Sequence, residues 1–265
     1  SAMDCGPASL KSLLEGFGVS ASYGRLREAC QTGVDGTSID TMEEAAVQLG
    51  LDAVQVMLPL DHLLDRAADA LPGIVVVRQP NGSTHFVVAW RRHGPLVQVM
   101  DPGVGRRWMG IGRFLEDVYE HRMPIDAAAW REWAGSDSFM DVLRARMKRL
   151  GAVDARLIAD ALADSGAAKL ARLDAAVRMT QRLADSGAVR RGGESARMVD
   201  VLARGAMPIP AEYWSARPID EQPDQVMLRG AVVLQVKGRK ERADAKLSPE
   251  LAAALTEKPA RPALE

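Results

Sequence analysis

The chain has 265 residues, 47% of them hydrophobic and 26% charged, with 34 Lys+Arg against 35 Asp+Glu. That length suits one or two domains with a sizeable core, and the composition excludes a disordered or fibrous chain. A formal net charge of -1 demands no nucleic-acid partner, two cysteines rule out a disulfide scaffold or a cysteine-rich zinc module, and no apolar run approaches the roughly 18 residues of a membrane helix.

The first predicted element is a helix from about Pro7 to Gly16, with Leu10, Leu13, Leu14 and Phe17 at three- and four-residue spacing and Gly18 as its stop. Shorter helical patterns follow over 23–30 and 38–49, the second with capping chemistry at Ser38 and a stop at Gly50. Strand-like runs then cover 53–58, 73–78, 85–91 and 96–101, and helices over 111–120 and 127–133 complete this half. Beyond a turn-rich stretch at 134–138 the pattern becomes helical over 139–150, 154–163, 168–184 and 195–204, with two late strand signals at 225–228 and 231–236 around Arg229-Gly230. Ten of the twelve aromatic residues lie at or before Phe139, and residues 1–140 carry 12 basic against 18 acidic side chains where 141–265 carry 22 against 17. These asymmetries place a domain boundary near 135. The expected organisation is an α+β domain over 1–135, a mainly helical domain with a small β-hairpin over 136–240, and a loose tail over 241–265.

The sharpest local feature is Asp4-Cys5-Gly6-Pro7-Ala8, at the start of an amphipathic helix. A thiol there meets unsatisfied N–H groups and the positive end of the helix dipole, which lower its pKa. Gly6 leaves room for a backbone or substrate, and Pro7 suits the first turn. The plainer reading makes Cys5 a small buried hydrophobe and Asp4 an N-cap. A partner shifts the balance. His85 opens the run Phe86-Val87-Val88-Ala89-Trp90, and Leu96-Val97-Gln98-Val99-Met100 ends on Asp101, with Arg92-His93-Gly94 between them as a three-residue hairpin loop. A hairpin centred on His93 sets His85 opposite Asp101, with β-carbons about 4.5–5.5 Å apart. Both strand faces are apolar, so an ionisable pair at their end is costly unless it is used or well paired. A carboxylate fixes the imidazole tautomer and the imidazole deprotonates a thiol, so Cys5, His85 and Asp101 in that order form a papain-like constellation.

The segments Ser1-Ala2-Met3-Asp4-Cys5-Gly6-Pro7-Ala8-Ser9-Leu10, Thr84-His85-Phe86-Val87-Val88 and Met100-Asp101-Pro102 resemble the bacteriocin-processing cysteine peptidases, the papain-like domains at the N-terminus of peptide-exporting ABC transporters. The resemblance covers roughly residues 1–125. It implies a fold of helices packed on an antiparallel sheet, with Cys5 as nucleophile, His85 as general base and acid, and Asp101 as orienting residue. It implies a precursor peptide with a double-glycine leader as substrate, cut on the cytoplasmic side of the membrane, and the transmembrane and ATPase domains of a parent transporter as partners. A non-catalytic leader-binding module is the alternative. One departure stands out. The family supplies an oxyanion-hole glutamine about six residues before the cysteine, whereas four residues precede Cys5 here, so a start inside the motif and an impaired fragment are expected. Loss of one such donor costs about 10²–10³ in rate.

Other candidates carry less. Cys30 lies on a short helix without a nearby His and reads as structural. His62 and His121 read as surface residues, and His93 as hairpin loop. The His spacings fit no metal-ligand pattern, CxxC is absent, and no cofactor is expected. Gly103-Val104-Gly105 resembles a dinucleotide loop, but Trp108 occupies the third glycine position, and a GxxxxGK[ST] phosphate loop is missing. The pairs Arg91-Arg92 and Arg106-Arg107 read as solvated strand ends, and Trp90, Trp108, Trp130 and Trp133 as packing. A winged-helix-like nucleic-acid binder over 138–236 is set aside because the charge is only modestly positive. The chain opens without a signal-peptide pattern, so a soluble segment at the cytoplasmic face of a membrane is expected.

Overall fold

The computed structural model describes residues 4–30, 36–240 and 247–256. The described residues divide into two compact units, the first drawn from 1–64, 70–119 and 231–265 and the second from 65–69 and 120–230.

In chain order the first unit holds α1 (Cys5–Gly16), α2 (Tyr23–Ala29), α3 (Ile39–Gln48), β1 (Leu51–Leu58), β2 (Gly73–Arg78), β3 (Thr84–His93), β4 (Leu96–Asp101), β5 (Gly105–Gly110) and α4 (Ile111–Asp117). The second holds β6 (His121–Asp126), α5 (Ala127–Ala134), α6 (Asp137–Leu150), α7 (Ala155–Ala163), α8 (Ala168–Asp185), α9 (Gly193–Ala203) and β7 (Ala216–Ile219). β8 (Gln222–Arg239) lies in the second unit up to Gly230 and in the first from Ala231, and α10 (Pro249–Thr256) follows in the first.

The sheet of the first unit is antiparallel throughout, in the order β1-β8-β2-β3-β4-β5. Period-two alternation gives it two apolar faces. On one, Ile74, Val88, Leu234 and Val236 pack against Leu10, Leu13 and Leu14 of α1, Leu26 of α2, Met42 and Ala46 of α3, and Leu251 and Ala254 of α10. On the other, Val75, Val77, Val87 and Val99 are buried and Phe114 of α4 is 1% exposed. The helices end where their residues dictate. The Ser38 hydroxyl caps α3 by accepting from the Thr41 N–H at 3.1 Å, and Gly50 behind it takes φ 87°, a left-handed value that favours glycine. This is the expected α+β arrangement of helices on an antiparallel sheet.

In the second unit, residues 225–230 of β8 form the middle strand between β6 and β7. Helices α6 to α9 supply buried Phe139, Leu143, Leu170, Val177 and Leu202. Asp174 of α8 is fully buried and accepts from Arg146 at 3.0 Å, Arg178 at 2.8 Å and the Ser215 hydroxyl, which supplies the donors a buried carboxylate requires.

Three features differ from the expected organisation. The units divide at Glu120 rather than near 135, because β6 pairs with β8 and because Trp130 and Trp133 of α5 stack edge-on against Phe139 of α6 at 6.0 and 5.1 Å, across the expected boundary. The two late strand signals are one strand, since Arg229 stays in the ladder with its N–H on the Ser215 carbonyl and its guanidinium on Glu120. Part of the expected tail is helical. α10 buries Leu251 and Ala254, and the Ala254 carbonyl takes the N–H of Ser22 at 2.7 Å. Residues 241–246 and 257–265 of that segment lie outside the described residues. No helix among the described residues is long and apolar enough to cross a membrane.

Candidate active site

Three elements build the site. β3 pairs with β2 in the register Val77↔His85, which fixes His85 one step inside the β2–β3 hairpin. Against β4 the register differs from the expected one. The connection is the two-residue turn Gly94-Pro95, closed by His93↔Leu96, with Gly94 at φ 55°. His93 is therefore an exposed strand end and not a loop centre. From the turn the ladder runs Arg92↔Val97 and Arg91↔Gln98, then shifts by one residue at Trp90 to Ala89↔Val99 and Val88↔Met100. His85 and Asp101 are consequently diagonal neighbours and not directly opposed, since one more step of that ladder sets Asp101 across from Val87. They still share a face, because His85 and Val87 are two residues apart. The β-bulge is what makes this so. Were the register of the turn to persist, Asp101 would oppose Val88 and point to the helix-covered face.

The third element is α1. The Ser9 hydroxyl donates to the Phe86 carbonyl at 3.1 Å, and Gly16 lies against Trp90 so closely that a β-carbon there would stand 1.9 Å from its ring. These two contacts lay α1 parallel to β3. Cys5, one helical turn before Ser9, then reaches the level of His85, one residue before Phe86. Gly6 serves packing and not substrate access, for a β-carbon on it would meet Thr37 and Met42 at 3.0 and 3.1 Å. Asp4 does not cap α1 with its side chain; it pairs with Arg27 at 2.8 Å.

The structure thus brings Cys5, His85 and Asp101 together. His85 Nε2 lies 2.9 Å from Asp101 Oδ1, and the imidazole also hydrogen-bonds the Cys5 thiol, for which Nδ1 is the nitrogen left. All three side chains are buried or nearly so, at 9% exposure for Cys5 and His85 and 8% for Asp101. Burial alone would raise the Cys5 thiol. The hydrogen bond to His85, the backbone N–H groups of Phe86 and Gly6 and the imidazolium charge outweigh it and hold the thiol below its ordinary value. The hydrogen bond to Cys5 raises His85, desolvation opposes it, and the Asp101 hydrogen bond and charge add to the rise. Burial pushes Asp101 upward, but His85, the Gly103 N–H at 2.9 Å and Arg107 at 3.1 Å hold it below the usual carboxylate range. A lowered thiol beside a raised imidazole shifts the balance toward the thiolate–imidazolium pair.

The thiol opens on a cleft of about 430 Å³ lined on its far sides by Tyr23, Gln79, Pro102 and Val104. Behind the imidazole, a separate cavity of about 250 Å³ touches His85, Asp101, Arg107 and Phe114. The cleft is lined by uncharged groups apart from Asp4 and the three site residues, an arrangement suited to extended backbone rather than to a highly charged ligand.

The remaining candidates lie elsewhere. Cys30 is 1% exposed and burial pushes its thiol up to about 12. Iodoacetamide at neutral pH is therefore expected to modify Cys5 and leave Cys30 intact, as peptide mapping by mass spectrometry will read. His62 is not a surface residue as expected but fully buried, because the turn after β1 folds inward beside Leu63 and Leu64. His121 is half-buried, and burial lowers its pKa. Three of the four arginines in the basic pairs are engaged and not merely solvated. Arg91 donates to Gln98 and lies 5.7 Å over the Trp108 ring, Arg92 donates to the Leu64 carbonyl, and Arg107 holds Asp101. Trp130 is core and Trp108 is 45% exposed on β5, a strand that the sequence pattern does not predict. No cluster of three or more His, Cys, Asp or Glu able to hold a metal occurs among the described residues. Ser1-Ala2-Met3, part of the cysteine motif, lies outside them.

Residues 1–120 match the peptidase C39 family. Over 133 residues, 46% of the chain, the sequence is 26% identical to the lactococcin-G-processing and transport ATP-binding protein LagD of Lactococcus lactis subsp. lactis, of which it covers 19%. Among solved structures it resembles the peptidase domain of Streptococcus ComA, a bi-functional ABC transporter involved in a quorum-sensing pathway. The identity is 28%, the coverage 44% of this chain and 87% of that one, and the TM-score 0.41. It also resembles a double-glycine-motif protease from an AMS/PCAT transporter in complex with the leader peptide, at 23% identity, 44% and 80% coverage and a TM-score of 0.39. The chain spans about a fifth of the length of LagD.

Proposed function

We propose that this chain, whose residues 1–120 match the peptidase C39 family, is a cysteine endopeptidase that cuts the leader from a secreted precursor peptide after a double glycine, working at the cytoplasmic face of a membrane beside the transmembrane and ATPase domains of an exporter. The observation that carries this reading is the hydrogen-bonded series Cys5–His85–Asp101, with the thiol lowered and the imidazole raised.

In the proposed mechanism the Cys5 thiolate attacks the carbonyl of the second glycine, and the positive end of α1 favours the developing oxyanion. His85 gives its proton to the leaving amine as the C–N bond breaks, leaving a thioester on Cys5. Water then attacks the thioester while His85 takes its proton, and the thiol departs as thiolate to restore the ion pair. Asp101 accepts from Nε2–H throughout, which keeps Nδ1 aimed at the sulfur and stabilises the imidazolium.

The test is cleavage of a synthetic precursor carrying a double-glycine leader by the purified chain, followed by mass spectrometry. The expected product is a leader ending at the second glycine. Binding of the leader without cleavage would instead make the chain a leader-holding module.

A further inference from the structure

Asp101 carries more donors than an orienting carboxylate needs for His85 alone. Its Oδ1 accepts from His85 Nε2 at 2.9 Å and from the Gly103 N–H at 2.9 Å, and its Oδ2 accepts from Arg107 Nη2 at 3.1 Å. Arg107 reaches it by register. On β5 it opposes Val99, so it sits diagonally from Asp101 on the face that also holds His85. The carboxylate is 8% exposed, whereas the Arg107 side chain is 41% exposed and borders the cavity behind the imidazole. Two cations, the Arg107 guanidinium and the His85 imidazolium, therefore share one buried carboxylate.

We propose that Arg107 is a positioning residue of this site, clamping Oδ2 so that Oδ1 stays on His85, and that its charge sets the pH at which His85 gives up its proton. The inference rests on the peptidase reading. With Arg107 in place, Asp101 divides its attraction between two cations; without it, the whole carboxylate charge serves the imidazolium. The other charged and titratable groups around His85 and Asp101 are Cys5 and Asp4 at the start of α1, Tyr23 of α2, Arg78 of β2, and Arg113 and Asp117 of α4. Arg113 is occupied by Asp117 at 2.9 Å and Arg78 stacks over Tyr119 at 5.2 Å, while Arg107 is the cation bonded to Asp101.

The experiment is the pH profile of iodoacetamide alkylation of Cys5, which reports the thiolate–imidazolium pair without requiring turnover. The parent chain is to be compared with Arg107→Gln, which keeps a donor for Oδ2 but no charge, and Arg107→Lys, which keeps the charge. In Arg107→Gln the upper midpoint, where the imidazolium loses its proton, is expected to move to higher pH by about 0.3–1 unit, and in Arg107→Lys to stay at the parent value. A loss of rate in Arg107→Gln at every pH with no shift of midpoint, or equal shifts in both variants, overturns the inference and leaves the peptidase reading standing. A parent profile with one ordinary thiol step near pH 8.5 removes the ion pair, and with it both the peptidase reading and the role of Arg107.

Discussion

Replacing Cys5 by Ala is expected to reduce leader cleavage to background, and replacing His85 by Ala to lower kcat/KM by about 10³–10⁴-fold. The two losses have different origins. Cys5→Ala removes the atom that forms the thioester. His85→Ala removes the proton donor for the leaving amine and also changes the nucleophile. Burial raises the Cys5 thiol, and the His85 hydrogen bond is the largest influence opposing it. Without the imidazole the thiol should titrate well above its present value, leaving little thiolate at neutral pH. Alkylation of Cys5 should fall together with cleavage, while leader binding, measured by fluorescence anisotropy, stays near the parent value. Cleavage by His85→Ala at the parent rate would remove His85 from the mechanism. The pH dependence has a definite sign. The thiol is lowered and the imidazole raised, so the reactive pair forms as pH rises through the lower midpoint. The pair is lost as pH rises through the upper one, and kcat/KM should trace a bell between them.

The convergence of Cys5, His85 and Asp101 was legible in the sequence because each sits on a regular element with a clear period. A helix with leucines at three- and four-residue spacing puts Cys5 at its N-terminus, and two alternating runs put His85 and Asp101 at the same end of a hairpin. The register was misread, yet the pairing of side chains survived. An error of two residues along a strand preserves the face, whereas an error of one reverses it. The expected hairpin differed from the observed inner ladder by two. What escaped was the compensation between a shorter turn, Gly94-Pro95, and the bulge at Trp90, neither of which alternation reveals. Arg107 was within reach, for reading Gly105–Gly110 as a strand paired with β4 places it diagonally from Asp101; its alternation is hidden because β5 is an exposed edge. The unit boundary was not legible. It depends on β6 pairing with β8 about a hundred residues later in the chain, and composition carries no trace of so distant a hydrogen-bonded partner. The buried ion cluster at Asp174 is hidden for the same reason, since Arg146 and Ser215 reach it from distant segments and only Arg178, one turn along α8, is local.

The site also depends on one position where no side chain fits. Gly16 lies in the last turn of α1, and a β-carbon there would stand 1.9 Å from Trp90 Cη2 and 2.6–2.8 Å from two neighbouring ring atoms. The indole cannot swing aside without cost, because Phe17 packs on it at 5.9 Å and the ring packs against the apolar core of this unit. Gly16→Ala is therefore expected to destabilise the chain despite the better helix propensity of alanine. That propensity is worth about 1 kcal/mol, whereas overpacking of this kind costs about 1–3 kcal/mol or somewhat more. Separation of α1 from β3 also disturbs the alignment of Ser9 with Phe86 that sets Cys5 beside His85. Gly16→Ala should thus lower the melting temperature by several degrees and slow Cys5 alkylation together, although residue 16 lies three turns from the thiol. The double variant Gly16→Ala/Trp90→Phe separates this explanation from a general weakness of the helix. Phenylalanine lacks the outer part of the indole that the new methyl strikes, so the pair should be more stable than the sum of the two single changes predicts. A double variant whose losses simply add would show that the fit between α1 and β3 does not depend on this contact.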